Sequence, residues 1–332
     1  MKKTKPVKSK RPHFTVAICV IMSWKNEIFS KMGIYAKESQ YFYHHFTQYC
    51  RDNNVSLIRT DFRWYDKKRK LFTKGWIYDP LMGWIRANDL KADIVHDLAA
   101  NKPYLLPLKR YFDRRGMLAA NSYQLDKILT DKLLNYKTFK EFYPLTIQVK
   151  NQKQLLKAID KIPGKKIVLK PRQGSSAKNV NIISKAKAAK FEIEDNTLVQ
   201  QLIESDPVAD YRIVFCNGKF LHAYSRIAAK GSYFVNFSKG GTMKMVKRSK
   251  LPYSVKKKWK EIEKYFKKYP YSMLTVDFQL DHKEEAWIIE MNAKPGKVLY
   301  RPNGAPEAFD QMMKASLKNY QIVYDLKNGA RS

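Results

Sequence analysis

The strongest chemical signal lies towards the end of the chain. Asp277 sits in the apolar run Leu274–Leu280, and Glu290 and Asn292 sit at the end of the next one, in WIIEMNAKPG. Residues two apart on a strand share a face, so Glu290 and Asn292 point the same way. A hairpin joining the two runs brings Asp277 beside them. Two carboxylates and an amide oxygen make an oxygen-only donor set. That is the chemistry of Mg2+, with Mn2+ as a substitute, which keeps waters and takes substrate phosphates as further ligands. Carboxylates this close on a buried face repel unless a cation joins them. An exposed hairpin with ordinary acids is the alternative reading; the apolar Trp287–Ile289 ahead of Glu290 speaks for burial.

A basic counterpart lies upstream. Lys170 ends the apolar strand Ile167–Leu169 and precedes Pro171-Arg172-Gln173-Gly174-Ser175-Ser176. Backbone N–H groups and hydroxyls of such a loop can wrap phosphates while the ammonium supplies charge. The chain has no GxxxxGK[ST] loop, no GxGxxG, no HExxH and no GxSxG, which leaves the Walker, dinucleotide, zincin and serine-hydrolase chemistries without a motif.

The elements that must position these residues follow from periodicity. Residues 1–13 are a flexible basic arm without apolar pattern. Residues 14–120 alternate strand (Phe14–Met22, Val55–Ile58, Ala92–Asp97) with helix (Phe42–Asn53), as expected of a small Rossmann-like α/β lobe. Phe62–Trp76 interleaves aromatic and basic residues, and Asp79–Pro80 marks a turn. A second domain over 121–320, with subdomains near 121–200 and 201–320, opens on a helix over Gln124–Phe142. Strands are expected at Ile167–Lys170, Val180–Ser184 and Thr197–Gln200, and a hairpin over Tyr211–Ala228 turns at Asn217–Gly218. Ser254 is expected to cap a helix whose Val255, Trp259, Ile262 and Phe266 form one apolar stripe. The class is α/β throughout.

Composition bounds the function classes. With 332 residues, 44% of them hydrophobic, two domains with sizeable cores are expected. No run approaches the ~18 apolar residues of a membrane span. Phe14–Met22 follows a basic tail, but Trp24, Lys25 and Asn26 offer no small-residue cleavage site, so no secretory leader is expected. Cys19, Cys50 and Cys216 lie far apart, which suits a reducing, cytoplasmic setting. Lys and Arg outnumber Asp and Glu by 64 to 30, a formal charge of +34. The excess points to an anionic partner, such as an acidic peptide, an anionic polymer or nucleic acid; a uniformly lysine-rich surface is the plainer explanation.

The order of pieces resembles the ATP-grasp superfamily of carboxylate–amine ligases. Asp131-Lys132 is followed by Pro144 and Thr146, then by Lys170 with its loop, by Leu198-Val199-Gln200-Gln201-Leu202, Asp210-Tyr211-Arg212, Tyr224-Ser225-Arg226 and Phe234-Val235-Asn236, and last by Asp277 and Glu290-x-Asn292. The likeness is to the glutamate-ligase branch that modifies a ribosomal protein and to its glutathione-synthetase-like relatives; KPRQGSS and EMNAKPG also resemble the YheC/YheD group of spore-coat-associated proteins. It covers roughly residues 120–315 and implies an ATP-grasp fold, two α+β lobes clamping the nucleotide.

The resemblance also implies roles. Lys132 and Lys170 contact nucleotide phosphates, with Gly174, Ser175, Ser176 and Lys178 of the loop. Gln200, Gln201 and Leu202 form the hinge at the adenine edge, with Gln201 where relatives often have Glu. Asp210 reaches the ribose, and Asn236 belongs to a loop beside the phosphates. Arg226, with Arg212, neutralises an acyl phosphate, and Asp277, Glu290 and Asn292 hold Mg2+. The loop departs from the pattern in carrying Ala177 and Asn179 where relatives usually have glycine. The reaction implied joins a carboxylate and an amine with ATP. An ATP-binding scaffold or nucleic-acid-associated protein without ligase chemistry is the rival reading; the complete metal triad speaks against it.

Overall fold

In the computed structural model, residues 12–22, 24, 28, 36–99, 103–174, 179–194, 196–235, 240–295 and 305–329 are described. The expected arm at 1–13 falls almost wholly outside them, as do Ser175, Ser176, Lys178 and Asn236. By contact the chain divides into two units, one of residues 1–123, 270–272 and 296–332, the other of 124–269 and 273–295.

The first unit is built on a seven-stranded mixed sheet. Strands β1 (Phe14–Cys19), β2 (Val55–Thr60), β3 (Tyr65–Asp66), β4 (Leu71–Asp79), β5 (Gly83–Leu90), β6 (Ile94–Asp97) and β7 (Leu118–Ala119) run in the order β3-β4-β2-β1-β6-β7, with β5 against β4. The pairings β1–β2, β1–β6 and β6–β7 are parallel. Helix α1 (Ala36–Asp52) buries Ser39, Phe42, Tyr43, Phe46, Thr47 and Cys50, a stripe at spacings of three and four. The sequence does not announce the antiparallel hairpin β4–β5, because its residues are mostly half-buried and the period-2 pattern is blurred. Its turn at Asp79–Pro80 is as expected: Asp79 Oδ1 accepts from the N–H groups of Leu81 and Met82. Helix α2 (Leu106–Arg114) lies between β6 and β7 in the chain.

A helix over Pro306–Lys327 belongs to this first unit, although the sequence reading assigned residues up to 320 to the second domain. Its Tyr320 ring meets that of Phe46 at a tilt, and Tyr320 Oη and His96 Nδ1 share a hydrogen bond at 2.6 Å. Its buried residues include Ala308, Met312, Ser316, Leu317, Asn319 and Tyr320. Polar and small residues spread over so wide an arc leave no clean apolar stripe to read.

The second unit holds two antiparallel sheets. The expected helix over Gln124–Phe142 is in fact α3 (Tyr123–Thr130), α4 (Lys132–Thr138) and a short 3-10 turn. The break is Asp131, whose extended backbone and carboxylate cap α4 through the N–H groups of Leu133 and Leu134, satisfying two of the four free donors at a helix start. Strands β8 (Thr146–Val149), β9 (Lys166–Pro171), β10 (Asn181–Ser184) and β11 (Thr197–Gln201) form a sheet in the order β10-β9-β11-β8, covered by Leu155, Ala158 and Ile159 of α5 (Gln152–Lys161).

The other sheet has the order β14-β13-β12-β15-β16, from β12 (Ala209–Cys216), β13 (Lys219–Ile227), β14 (Thr242–Val246), β15 (Met273–Leu280) and β16 (Ala286–Asn292). Ile213, Phe215, Leu274, Val276 and Phe278 line one face with Val255, Trp259, Ile262 and Phe266 of a helix over Tyr253–Phe266. Ser254 does not cap that helix. Pro252 precedes it without a side-chain cap, and the Ser254 hydroxyl donates to the Glu284 carbonyl instead. No helix among the described residues is long and apolar enough to cross a membrane, and all three cysteines are buried and unbridged.

The β12–β13 turn is Asn217–Gly218, with φ of 54° and 68°, the left-handed pair that a two-residue hairpin requires. A Cβ on Gly218 would also lie 2.9 Å from the Phe266 carbonyl oxygen. Gly218→Ala should therefore cost at least about 1–2 kcal/mol from the left-handed backbone alone. Urea denaturation would read this as a lower midpoint with an unchanged slope.

Candidate functional site

The period-2 alternation that buries Ile213, Val276 and Phe278 turns the intervening residues to the opposite face of the same sheet. Register sets their order. Asp210 lies opposite Arg226, Arg212 opposite Asp277, Asp277 opposite Glu290, and Thr275 opposite Asn292. The sequence reading thus placed Asp277, Glu290 and Asn292 together correctly, but it did not see that both arginines and Asp210 share the row.

Alternating charge holds the row together. Arg212 donates to both Asp277 oxygens, Nε to Oδ1 at 2.6 Å and a terminal nitrogen to Oδ2 at 2.5 Å. Arg226 donates to Asp277 Oδ2 at 2.7 Å and grips Asp210 through two bonds. Asp210, Asp277 and Arg226 are each less than a tenth exposed. Burial works against the Asp277 charge, but the two guanidinia overcome it and hold the carboxyl below its usual range. Burial likewise opposes the charge of Arg226, and Asp277 and Asp210 outweigh it, so its guanidinium stays ionised. Asp210 is turned to Arg226 and lies 5% exposed.

The four-stranded sheet contributes the basic side. Lys170 lies at the end of β9 and is 6% exposed. Its ammonium donates to Gln200 Oε1 at 2.7 Å and to the Ile289 carbonyl at 3.3 Å. Gln200 donates in turn to Thr146 Oγ1, and Thr146 to the Pro144 carbonyl. The Ile289 carbonyl is reached at a bulge. Register slips between Asp277 and Phe278, so one residue of β16 has no direct partner, which re-aims the strand just before Glu290. Burial lowers the Lys170 pKa to about 8, with Lys132 pulling it further down and Glu290 opposing both.

Lys132 opens α4, with Nζ 2.6 Å from the Gly174 carbonyl and 3.6 Å from Glu290 Oε1. Arg172, which sequence reasoning passed over, fixes that position. Its guanidinium makes three contacts of 2.6–2.9 Å with the Asp131 carboxylate, and its carbonyl accepts from Lys132 N–H at 3.1 Å. Asp131 thus starts α4 and ties it to the end of β9, bringing Lys132 and Lys170 to one place. Asn179 adopts φ of 59°, supplying the left-handed turn where glycine is usual. Gln201 donates its N–H to the Leu145 carbonyl, so that donor is not open to an adenine edge; Leu202 follows directly beyond the strand.

Tyr143 is a residue that no motif pointed to. It is 5% exposed, its hydroxyl has no hydrogen-bond partner among the described residues, and burial together with Glu290 and Asp277 pushes its pKa up. Glu290 and Asn292 lie two apart and touch at 3.2 Å through Asn292 Nδ2. Their oxygens, with Asp277 across the strand, fit a hard divalent cation in chemistry. Glu290 and Asn292 are half-buried and approachable, whereas Asp277 is already shared by two guanidinia. Among the described residues no group of three His, Cys, Asp or Glu residues could hold a metal, so any site here depends on the Asn292 amide.

The RimK-like ATP-grasp domain family matches residues 125–308. The chain belongs to this family. A probable alpha-L-glutamate ligase of Trichodesmium erythraeum is 24% identical over 225 residues, covering 58% of this chain and 74% of that protein. One of Rhodopirellula baltica is 25% identical over 146 residues, 41% of this chain, and the match spans only 36% of the relative's length. Among solved structures, a D-alanine–D-alanine ligase of Bacillus anthracis complexed with ATP superposes with a TM-score of 0.63 at 13% identity, over 96% of this chain and 99% of that one. The VanG D-Ala:D-Ser ligase of Enterococcus faecalis gives 0.61 at 12% identity, over 94% and 99%. These likenesses establish the ATP-grasp fold.

Removing one member of a buried pair strands the other charge, at about 3–5 kcal/mol. Arg226→Met should destabilise the second unit by that order. Adding Asp210→Asn should recover part of the loss, because the stranded carboxylate is gone. A double-mutant cycle in urea checks this: additive losses would mean that the two side chains are not coupled.

Proposed function

We propose that the chain is an ATP- and Mg2+-dependent ligase that joins the amino group of an amino acid, glutamate in the first instance, to a carboxylate-bearing acceptor. The observation that carries the reading is the Lys170 ammonium, buried at the end of β9 and bonded to the backbone beside Glu290. It brings a buried cation into contact with the strand end that carries Glu290. Membership of the RimK-like ATP-grasp family and the names of the two curated relatives support the reaction class and the amino acid.

In this reading Lys132 and Lys170 bind the β- and γ-phosphates. An acceptor carboxylate oxygen attacks the γ-phosphorus, ADP leaves, and an acyl phosphate forms. Phosphoryl transfer asks the protein mainly for positioning and charge neutralisation. Arg226 and Arg212, fixed by Asp277 and Asp210, hold positive charge where the acyl phosphate and the tetrahedral adduct develop. The amine nitrogen then attacks the acyl carbon, loses a proton, and phosphate leaves. Glu290 and Asn292, with Asp277, would hold Mg2+, which supplies neutralisation of phosphate charge.

The +34 charge suits two acidic substrates. An anionic acceptor, a cytoplasmic setting and a place in the YheC/YheD group remain parts of this proposal. The last rests on KPRQGSS and EMNAKPG alone, the setting on three unbridged thiols.

Wild-type protein with ATP, Mg2+, L-glutamate and an acidic peptide should release ADP and gain peptide mass by one glutamate residue. Glu290→Ala should abolish Mg2+-dependent turnover in a folded protein; wild-type turnover there would refute the metal assignment. Lys170→Met should weaken ATP binding by about one to two orders of magnitude, the worth of one charge-assisted hydrogen bond. Because Lys170 titrates near 8, its ammonium is present below that pH and lost above it. Wild-type ATP affinity, measured by calorimetry, should fall as pH rises through 8, and Lys170→Met should flatten that profile.

A further inference from the structure

The first unit carries a cavity of about 590 Å3 lined by Lys67, Pro107, Arg110, Tyr111, Arg114 and Arg115. Four of its six lining residues are cationic and none is acidic. Arg110 and Arg114 lie one turn apart on α2, Arg115 follows that helix, and Lys67 comes from the turn between β3 and β4. All four are exposed, and among the described residues none of them makes an ion pair. The acids nearest in sequence are turned to backbone N–H groups and form no ion pair with these cations among the described residues. Asp66 accepts from the Lys68 and Arg69 N–H groups, and Asp113 accepts from the Tyr123 N–H.

Two of the guanidinia are also held in place. Arg115 lies 4.4 Å from the Tyr111 ring centre and Arg110 lies 5.2 Å from that of Tyr123, while the Lys67 ammonium stands 5.5 Å from Tyr111. Tyr111 is braced by Tyr65 and Phe112. A guanidinium stacked on a ring keeps its N–H edge free for bidentate contact with oxyanions. Like charges gathered without counter-charge repel, and an anion relieves that repulsion.

We infer that this cavity is a second anion site, outside the ATP-grasp unit, that takes the phosphodiester backbone of a single-stranded nucleic acid. Four convergent cations exceed what one carboxylate can engage, whereas successive phosphates offer an acceptor to each. The exposed Lys68 and Lys70 continue the positive surface beyond the cavity, while Arg69 between them is paired with Asp89. Its volume admits a nucleotide-sized group rather than a duplex groove, which selects an extended strand.

The test is fluorescence anisotropy of labelled decauridylate against the full chain. Wild type should bind with a steep salt dependence. Arg110→Gln/Arg114→Gln should bind at least tenfold more weakly, with a log affinity–log salt slope shallower by about 1.4, two phosphate contacts at about 0.7 each. Its circular dichroism should be unchanged, and Lys170→Met should bind the strand like wild type. Equal affinity in the double variant, or loss in Lys170→Met instead, would overturn the inference by placing the strand elsewhere. Displacement of the strand by a hexaglutamate peptide, or by tripolyphosphate at matched charge, as effectively as by unlabelled decauridylate would also overturn it. The peptide result would assign the cavity to carboxylates, and the tripolyphosphate result to free oligophosphate. The ligase reading stands or falls separately, on ADP release.

Discussion

Asp277 shared between two guanidinia is the constraint on which the site depends. A carboxylate this deep in a sheet is tolerated only because Arg212, from the adjacent strand β12, and Arg226, from β13 one strand further, both meet it. Arg226 then needs Asp210, which returns the network to neutrality. Two arginines against two aspartates leave Glu290 as the acid facing the lysines, and Lys132 approaches it at 3.6 Å. The row therefore presents its approachable negative charge at one end, where the bulge in β16 also delivers a carbonyl to Lys170.

Charge alone would not hold the two sheets of this unit in place. Their meeting point is mechanical as well: Asp131 caps α4 and clamps Arg172, so the helix bearing Lys132 is tied to the strand bearing Lys170. The Thr146–Gln200–Lys170 chain crosses β8, β11 and β9 and fixes the ammonium direction. Tyr143 keeps a buried hydroxyl without a partner among the described residues, near Glu290 and Asp277. Such a group costs free energy unless a ligand or water satisfies it, as expected of a site shaped for something that binds.

Two positive regions serve different ends. At the site in the second unit Arg172, Arg212 and Arg226 are paired with carboxylates, so that they hold shape as much as charge. On the first unit the cavity beside α2 gathers exposed cations without acids. That contrast separates a positioning role from an attracting one and gives part of the +34 a place on the molecule.

Much of the site was legible because it is made by short-range rules. Glu290 and Asn292 share a face through the two-residue strand period, and a hairpin returns them to Asp277. Asn217–Gly218 encodes its own turn through backbone preference, and the stripe of Val255, Trp259, Ile262 and Phe266 declares its buried face through helical period. What only the tertiary structure decided involves partners distant in the chain. Arg212 and Arg226 are ordinary strand residues until register sets them against Asp277, 65 and 51 positions away. Arg172 and Asp131 are 41 apart, and the bulge at Ile289 depends on how two strands are pinned, which no local pattern records. The helix over Pro306–Lys327 was hidden for a related reason: it buries polar and small residues against particular neighbours, His96 with Tyr320 among them. Periodicity reports which face a segment buries; it carries no information about which distant charge that face will meet.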